Sequence, residues 1–242
     1  MVMNADVILT SLINLSDHQK AQQAMRFFKT AKGEYGEGDK FLGISMPILR
    51  QQVKHFNAVS LDDLCCLLAN SYHEVRMFAL LAMVQQFKRA SGKRHFNQQQ
   101  RQAIYSAYMQ YCDHINNWDL VDCSAYWIVG PYLQDSDCQP LLYWAKTGHL
   151  WQRRIAMVSC YHFIRQGQFT IALEICELLL HDKHDLIQKA VGWMLREIGN
   201  RDRQTEIEFL NNHYQSMPRT MLRYAIEKFD EDLRQGYLKG TI

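Results

Sequence analysis

The stretch Asn116-Asn117-Trp118-Asp119-Leu120-Val121-Asp122 sets an indole and a carboxylate four residues apart. On a helix those two side chains share one face. Two later stretches, Trp151-Gln152-Arg153-Arg154 and Gln188-Lys189-Ala190-Val191-Gly192-Trp193, again put charges and a tryptophan inside apolar helical sequence. A carboxylate, a guanidinium and two indoles on successive helices can form one small, charged, aromatic-walled site. Indole faces favour nearby positive charge, and a guanidinium holds an anion such as a phosphate.

Such a site needs helices to carry it, and the chain supplies them. Its 242 residues are 48% apolar, enough to bury a substantial core, and residues 1–242 read as a single domain. Apolar residues recur at helical spacing almost throughout, period-2 alternation is scarce, and there are only four prolines, so the fold class is all-α. Breaks are expected near Ala31–Lys40, Ala90–His95, Gln134–Pro140, Lys146–Leu150, His181–Asp185, Gly199–Arg203 and Ser216–Pro218, with helices of roughly 10–18 residues between them. The segments beginning Glu74, Gln152, Ile187 and Arg219 resemble one another. Each opens polar or basic and continues as an apolar helix with small residues at contact positions. Aligning Arg154 with Lys189 gives a period of 35 residues, in the range of HEAT-like and armadillo-like helix pairs. The expectation is a right-handed α-solenoid of helix pairs, whose inner helices line a concave face. Arg76, Arg153, Arg154, Lys189, Arg219 and Arg223 begin those inner helices and would make that face basic, which suits duplex DNA.

Other features exclude more than they assign. The formal net charge of +2 argues neither for nor against a nucleic-acid partner, because a basic face can be balanced elsewhere. Seven cysteines without a CxxC pair read as reduced, mostly core-packed thiols of a cytoplasmic protein. The Met1–Asp6 start lacks the features of a signal peptide, and no apolar run is long enough for a membrane span. His181-Asp182-Lys183-His184 reads as a polar connection rather than a zinc site, so no metal and no cofactor are expected. The segment Ala31–Lys40 holds three glycines in six residues and cannot be helix interior. It reads as a loop or small hairpin with Tyr35 at or near its tip, and without a GK[ST] ending it is no phosphate-binding loop.

Four motifs together resemble the AlkD-type DNA alkylation repair family: Phe41-Leu-Gly-Ile-Ser-Met-Pro, Asn117-Trp-Asp-Leu-Val-Asp, Trp151-Gln-Arg-Arg and Lys189-Ala-Val-Gly-Trp-Met-Leu-Arg-Glu. The likeness runs from about Gln22 to Lys228. It implies a HEAT-like solenoid that holds duplex DNA and removes N3- and N7-alkylated purines. By this resemblance Asp122 matches the catalytic carboxylate, Trp118 and Trp193 the indoles flanking the lesion's deoxyribose, and Arg154 the arginine on the DNA backbone. The resemblance also implies a mode in which the base stays near the stack. The family's glycosylases carry a tyrosine on the N-terminal helix. Here Phe27 or Phe28 takes its place without the hydroxyl, and Phe27 is the expected DNA contact. The glycine-rich insertion, with Tyr35, resembles subgroups with a DNA-contacting hairpin.

The implied chemistry is self-consistent. An N3- or N7-alkylated purine is already cationic, so it leaves as a neutral base without a general acid. One fixed carboxylate can stabilise the oxocarbenium-like sugar and position the attacking water. The plainer readings are that Trp118 and Trp193 are core residues, that Asp119 is a helix-start residue, and that one of Arg153 and Arg154 is a solvated helix start. Three functions follow for comparison: an alkylpurine DNA glycosylase working as a monomer, a non-catalytic member of the same family binding damaged or branched DNA, and a HEAT-like protein-interaction scaffold.

Overall fold

The computed structural model describes residues 4–134 and 136–242; Met1–Met3 and Asp135, which fall within the expected N-terminal start and the Gln134–Pro140 break, lie outside the described residues. The chain is all-helical, and its contacts group it into two compact units, 1–128 and 129–242. Among the described residues no helix is long and apolar enough to cross a membrane.

The first unit contains α1 (Ala5–Ile13), α2 (His18–Phe27), α3 (Met46–His55), α4 (Leu61–Leu68), α5 (His73–Ala90), α6 (Gln98–Gln110), α7 (Trp118–Asp122) and the start of α8 (Ala125–Leu133). Short polar residues begin most of these helices. Asn4, Asp17, Ser60, Asn97 and Asn117 each accept a hydrogen bond from a backbone N–H of the first turn, which satisfies a donor the helix cannot use itself. The core is built around α5. Val75, Met77, Phe78, Ala79, Leu80, Met83, Val84 and Phe87 are buried on all sides of it, because α3, α4, α6 and α7 all pack against it.

The second unit continues with the rest of α8, α9 (Gln139–Thr147), α10 (Leu150–Ser159), α11 (Tyr161–Ile164), α12 (Thr170–Leu178), α13 (Asp185–Gly199), α14 (Arg203–His213), α15 (Arg219–Ala225) and α16 (Glu231–Lys239). Pro140 sits in the first turn of α9, where its missing N–H costs nothing. Here the helices do pair. α9 packs on α10, α12 on α13 and α14 on α13, while α10, α13 and α15 pack successively against one another. This stacking is consistent with a helical repeat; three of the four segments that resembled one another in sequence lie in α10, α13 and α15, and the fourth lies in α5 of the first unit.

Several helices are shorter than the expected 10–18 residues, α7 and α11 above all. After α7 the cause is local. Buried Ser124 donates its hydroxyl to the Leu120 carbonyl and meets the Tyr108 hydroxyl at 3.0 Å. A side chain that engages the backbone in this way competes with helix continuation. The Ala31–Lys40 segment is a run of turns and not a hairpin. Its strand-like feature is an isolated bridge between Lys40 and Tyr72. Three cysteines, Cys112, Cys160 and Cys176, are buried, whereas Cys66 faces solvent.

Gly192 explains how α13 and α15 approach so closely. A Cβ there would collide with the Met221 carbonyl and the Tyr224 side chain. Gly192→Ala is expected to destabilise the protein by about 1–3 kcal/mol, as overpacking does, and to lower Tm by roughly 2–4 °C per kcal/mol. Calorimetry of the two proteins checks this, and an unchanged Tm would contradict it.

Candidate functional site

In the first unit, α7 is five residues long, with Trp118 at its first position and Asp122 at its last. Asn117, fully buried, caps it by accepting from the Trp118 N–H at 2.8 Å. Asn116 just before this cap and Asp119 two residues after it reach inward. Asn116 donates its amide to Asp39 at 3.1 Å. Asp119 accepts the Leu120 N–H through Oδ1 and meets His73 Nε2 at 2.9 Å through Oδ2. The plain reading of Asp119 as a helix-start residue is therefore half of its role.

His73 opens α5 and is nearly enclosed. Its other ring nitrogen lies 3.7 Å from Asp39 Oδ2. Asp39 in turn accepts from Arg76 Nη2 at 2.8 Å, and Arg76 Nη1 donates to the Asn70 carbonyl at 2.9 Å. Two cations and two carboxylates thus alternate in one buried cluster. The alternation offsets the desolvation that each charge would suffer alone. Burial works against charging the imidazole, but the hydrogen bond to Asp119 and the nearby Asp39 carboxylate prevail and raise its pKa to about 9 from the ordinary 6.5. Burial likewise works against the Asp39 carboxylate. The nearby His73 ring and the charge of Arg76 outweigh this and hold it below the usual carboxylate range.

Beside this cluster the Phe41–Ser45 segment folds into a tight loop. Buried Glu74 gathers its backbone, accepting N–H groups from Leu42 at 2.9 Å, Gly43 at 2.7 Å and Ile44 at 3.3 Å. Gly43 has a φ of 80°, and a Cβ there would strike the Asp17 carbonyl at the start of α2, so the position requires glycine. Phe41 stacks on the His73 ring with centroids 4.7 Å apart, and Phe28 stacks on Phe41 at 5.2 Å. Phe28 also lies 5.6 Å from the Trp118 ring, while Phe27, 65% exposed, meets Trp118 edge-on at 6.0 Å. Trp118 is therefore one end of an aromatic run that reaches the buried imidazole. Asp122 is half-buried.

Arg76 requires a correction. Read as part of a basic stripe facing DNA, it is 3% exposed and paired with Asp39 inside the first unit. The glycine-rich segment, read as a loop or small hairpin, is the reason, since its last turns deliver Asp39 to the guanidinium. Tyr35 is half-buried in that loop, with the Lys29 ammonium 6.0 Å from its ring centroid.

The other expected residues belong to the second unit. Arg154 is 5% exposed and donates to the Leu186 carbonyl. Arg153 pairs with Asp182 at 2.7 Å and donates to the Gly148 carbonyl at 2.8 Å. Asp182 and His184, from the polar connection set aside as a metal site, thus serve the fold, His184 by capping α13. Lys189 pairs with Asp185 at 2.8 Å, and Arg219 donates to the Leu238 carbonyl at 2.7 Å. Arg223 is exposed. Trp193, half-buried, donates its indole N–H to Glu197 and lies 5.8 Å from the Tyr161 ring, with Arg201 on that same tyrosine at 5.7 Å. Among the described residues no group of three or more His, Cys, Asp or Glu side chains could hold a metal.

Sequence reasoning missed His73, Asp39 and Glu74. A signal was present, because His73-Glu74-Val75-Arg76 places three ionisable residues at the head of the most buried helix.

A model of the DNA alkylation repair enzyme family matches residues 8–229. Among solved structures, a predicted DNA alkylation repair enzyme from Enterococcus faecalis has a similar fold, with a TM-score of 0.68 at 16% identity over 89% of this chain and 97% of that one. No curated protein matches in sequence.

The His73 cluster predicts a pH dependence. Its folded pKa lies above its unfolded value, so its contribution to stability is complete below about pH 6.5 and is lost as pH rises through about 9. The urea midpoint should fall between pH 6.5 and 9.5, and His73→Gln should flatten that portion of the profile. Asp39→Ala leaves Arg76 and His73 without their shared counter-charge and should cost about 3–5 kcal/mol, as removing one partner of a buried pair does. Urea unfolding checks both outcomes.

Proposed function

This chain belongs to the family of DNA alkylation repair enzymes, and on that premise we propose that it is a DNA glycosylase hydrolysing the N-glycosidic bond of N3- or N7-alkylated purines in duplex DNA. The observation that carries the reading is α7 itself. It offers an indole and a half-exposed carboxylate from one short helix, whose cap is tied on both sides to a buried, charge-balanced cluster. A carboxylate fixed in this way needs little reorganisation when charge develops on the sugar.

In this reading Asp122 stabilises the oxocarbenium-like sugar and orients the attacking water. Trp118 and Trp193 flank the deoxyribose of the lesion, with their faces toward its positive charge. The DNA backbone is held along a concave, HEAT-like face by Arg153, Arg154, Lys189, Arg219 and Arg223, with Phe27 and Tyr35 as further contacts, and the protein works as a monomer. Contact through Arg154 requires its guanidinium to leave the Leu186 carbonyl. Arg76, committed to its buried ion pair with Asp39, has no part in it.

One observation favours a second reading. Phe27 is exposed beside Trp118 and carries no hydroxyl, which suits a member that binds damaged or branched DNA without excising a base.

Release of free base from duplex DNA containing 7-methylguanine separates the two. The native protein is expected to release it, and Asp122→Asn to lose at least a hundredfold in rate while binding the same DNA equally or more tightly. Affinity should fall with salt by about 0.9 log units per log unit of salt for each phosphate contacted. An Asp122→Asn protein as fast as the native one would overturn the mechanism. No release from either, with salt-sensitive binding, would establish the second reading.

A further inference from the structure

The first unit holds a cavity that none of the roles above uses. Its volume is about 200 Å³, and it lies between α2 and the Phe41–Ser45 loop. Phe28, Phe41, Leu49 and Met77 form its apolar wall, His73 and Asp119 its polar side, and Lys20 stands among its lining residues. The size is informative. An apolar cavity of about 150 Å³ accepts benzene, whereas sites for drug-sized ligands run to about 300–1,000 Å³. This one matches a single planar heterocycle in size.

The chemistry of the walls narrows the ligand further. Phe28 and Phe41 lie nearly parallel, at 11°, and present aromatic surface on which a flat ring can stack. Within the buried charge cluster, the side chains of His73, Asp39 and Arg76 are 4% exposed, but that of Asp119 is 19% exposed. Glu74, the other carboxylate in the lining, is taken up by the Leu42, Gly43 and Ile44 N–H groups, so the acceptor edge left for ring or amino N–H groups is that of Asp119, beside the apolar and aromatic wall. Phe28 and Asp119 also connect it to Trp118, the first by ring contact and the second as its chain neighbour.

We propose that this cavity binds a free nucleobase, namely the alkylated purine released at Asp122, with the ring stacked on the Phe28–Phe41 wall and its N–H edge on Asp119. The inference rests on the glycosylase reading for the identity of the base. The binding itself rests on the cavity alone. Hydrolysis leaves the base neutral and planar, with N–H donors on its edge and no phosphate or sugar attached. Those properties match the size and lining of the cavity.

Free 7-methylguanine, titrated onto the full chain and followed by saturation-transfer NMR, tests the proposal. Saturable binding is expected, and Ala24→Phe, which fills the cavity from α2, should weaken it at least tenfold. Ser45→Phe fills it from the exposed cap of α3 and serves as an independent variant if the first loses its native Tm. 7-Methylguanosine, enlarged by its ribose, should bind at least tenfold more weakly than the base. Absence of saturable binding, or binding indifferent to both folded variants, overturns the proposal. Excision measured alongside keeps the two ideas apart. Base release by a protein that does not bind free base removes the cavity's role and leaves the glycosylase. Cavity binding by a protein that releases no base upholds the nucleobase site and removes the glycosylase.

Discussion

The first unit is organised around an imidazolium held between two carboxylates. His73 reaches Asp119 on one side and Asp39 on the other, and Arg76 completes the charge balance. None of these groups is tolerable alone in the interior, where an unpaired charge is heavily penalised. They are tolerable together only if four separate pieces of chain arrive at one place: the end of the glycine-rich loop, the head of α5, the connection before α7, and α7 itself. The cluster thus fixes the approach of the very helix that carries Trp118 and Asp122.

The same constraint accounts for neighbouring features that otherwise look unrelated. Glu74, the residue after His73, turns its carboxylate away from the cluster and onto three N–H groups of the Phe41–Ser45 loop. That loop then lays Phe41 against the imidazole. Phe28 stacks on Phe41, and Trp118 meets Phe28 at a tilt. One end of α5 therefore positions a loop, an aromatic run and a catalytic candidate at once. A single shift at His73 would be felt in all three.

The second unit solves a different problem. Its helices pack by close approach of small residues, as at Gly192, and its basic side chains are largely engaged with nearby acids and carbonyls. Arg153 holds Asp182, Lys189 holds Asp185, and Arg154 holds the Leu186 carbonyl. Two of these three partners, Asp182 and Asp185, lie in or at the edge of the polar connection before α13. Of the three, the Lys189–Asp185 pair is exposed, so it contributes modestly to stability and can be opened by a competing anion at limited cost.

The all-α class, the breaks after α5, α9, α13 and α14, and the resemblance of α10, α13 and α15 were legible in the sequence, because helical periodicity and capping residues are local signals. So was the family, since four motifs in order are specific even where each is not. The pairing of Trp118 with Asp122 on one helix also followed from spacing alone. What spacing could not carry was the direction of a charge. Arg76 has the same local pattern as a solvent-facing helix start, and only the return of the chain at Asp39, 37 residues earlier, takes it into the interior. Asp119 has the spacing of a cap and is one, yet its second oxygen belongs to His73, 46 residues away. Local sequence determines which helices form and which faces they offer. Tertiary structure decides which charges neutralise one another, because that depends on contacts between residues far apart in the chain, and so it decides which groups remain available for function.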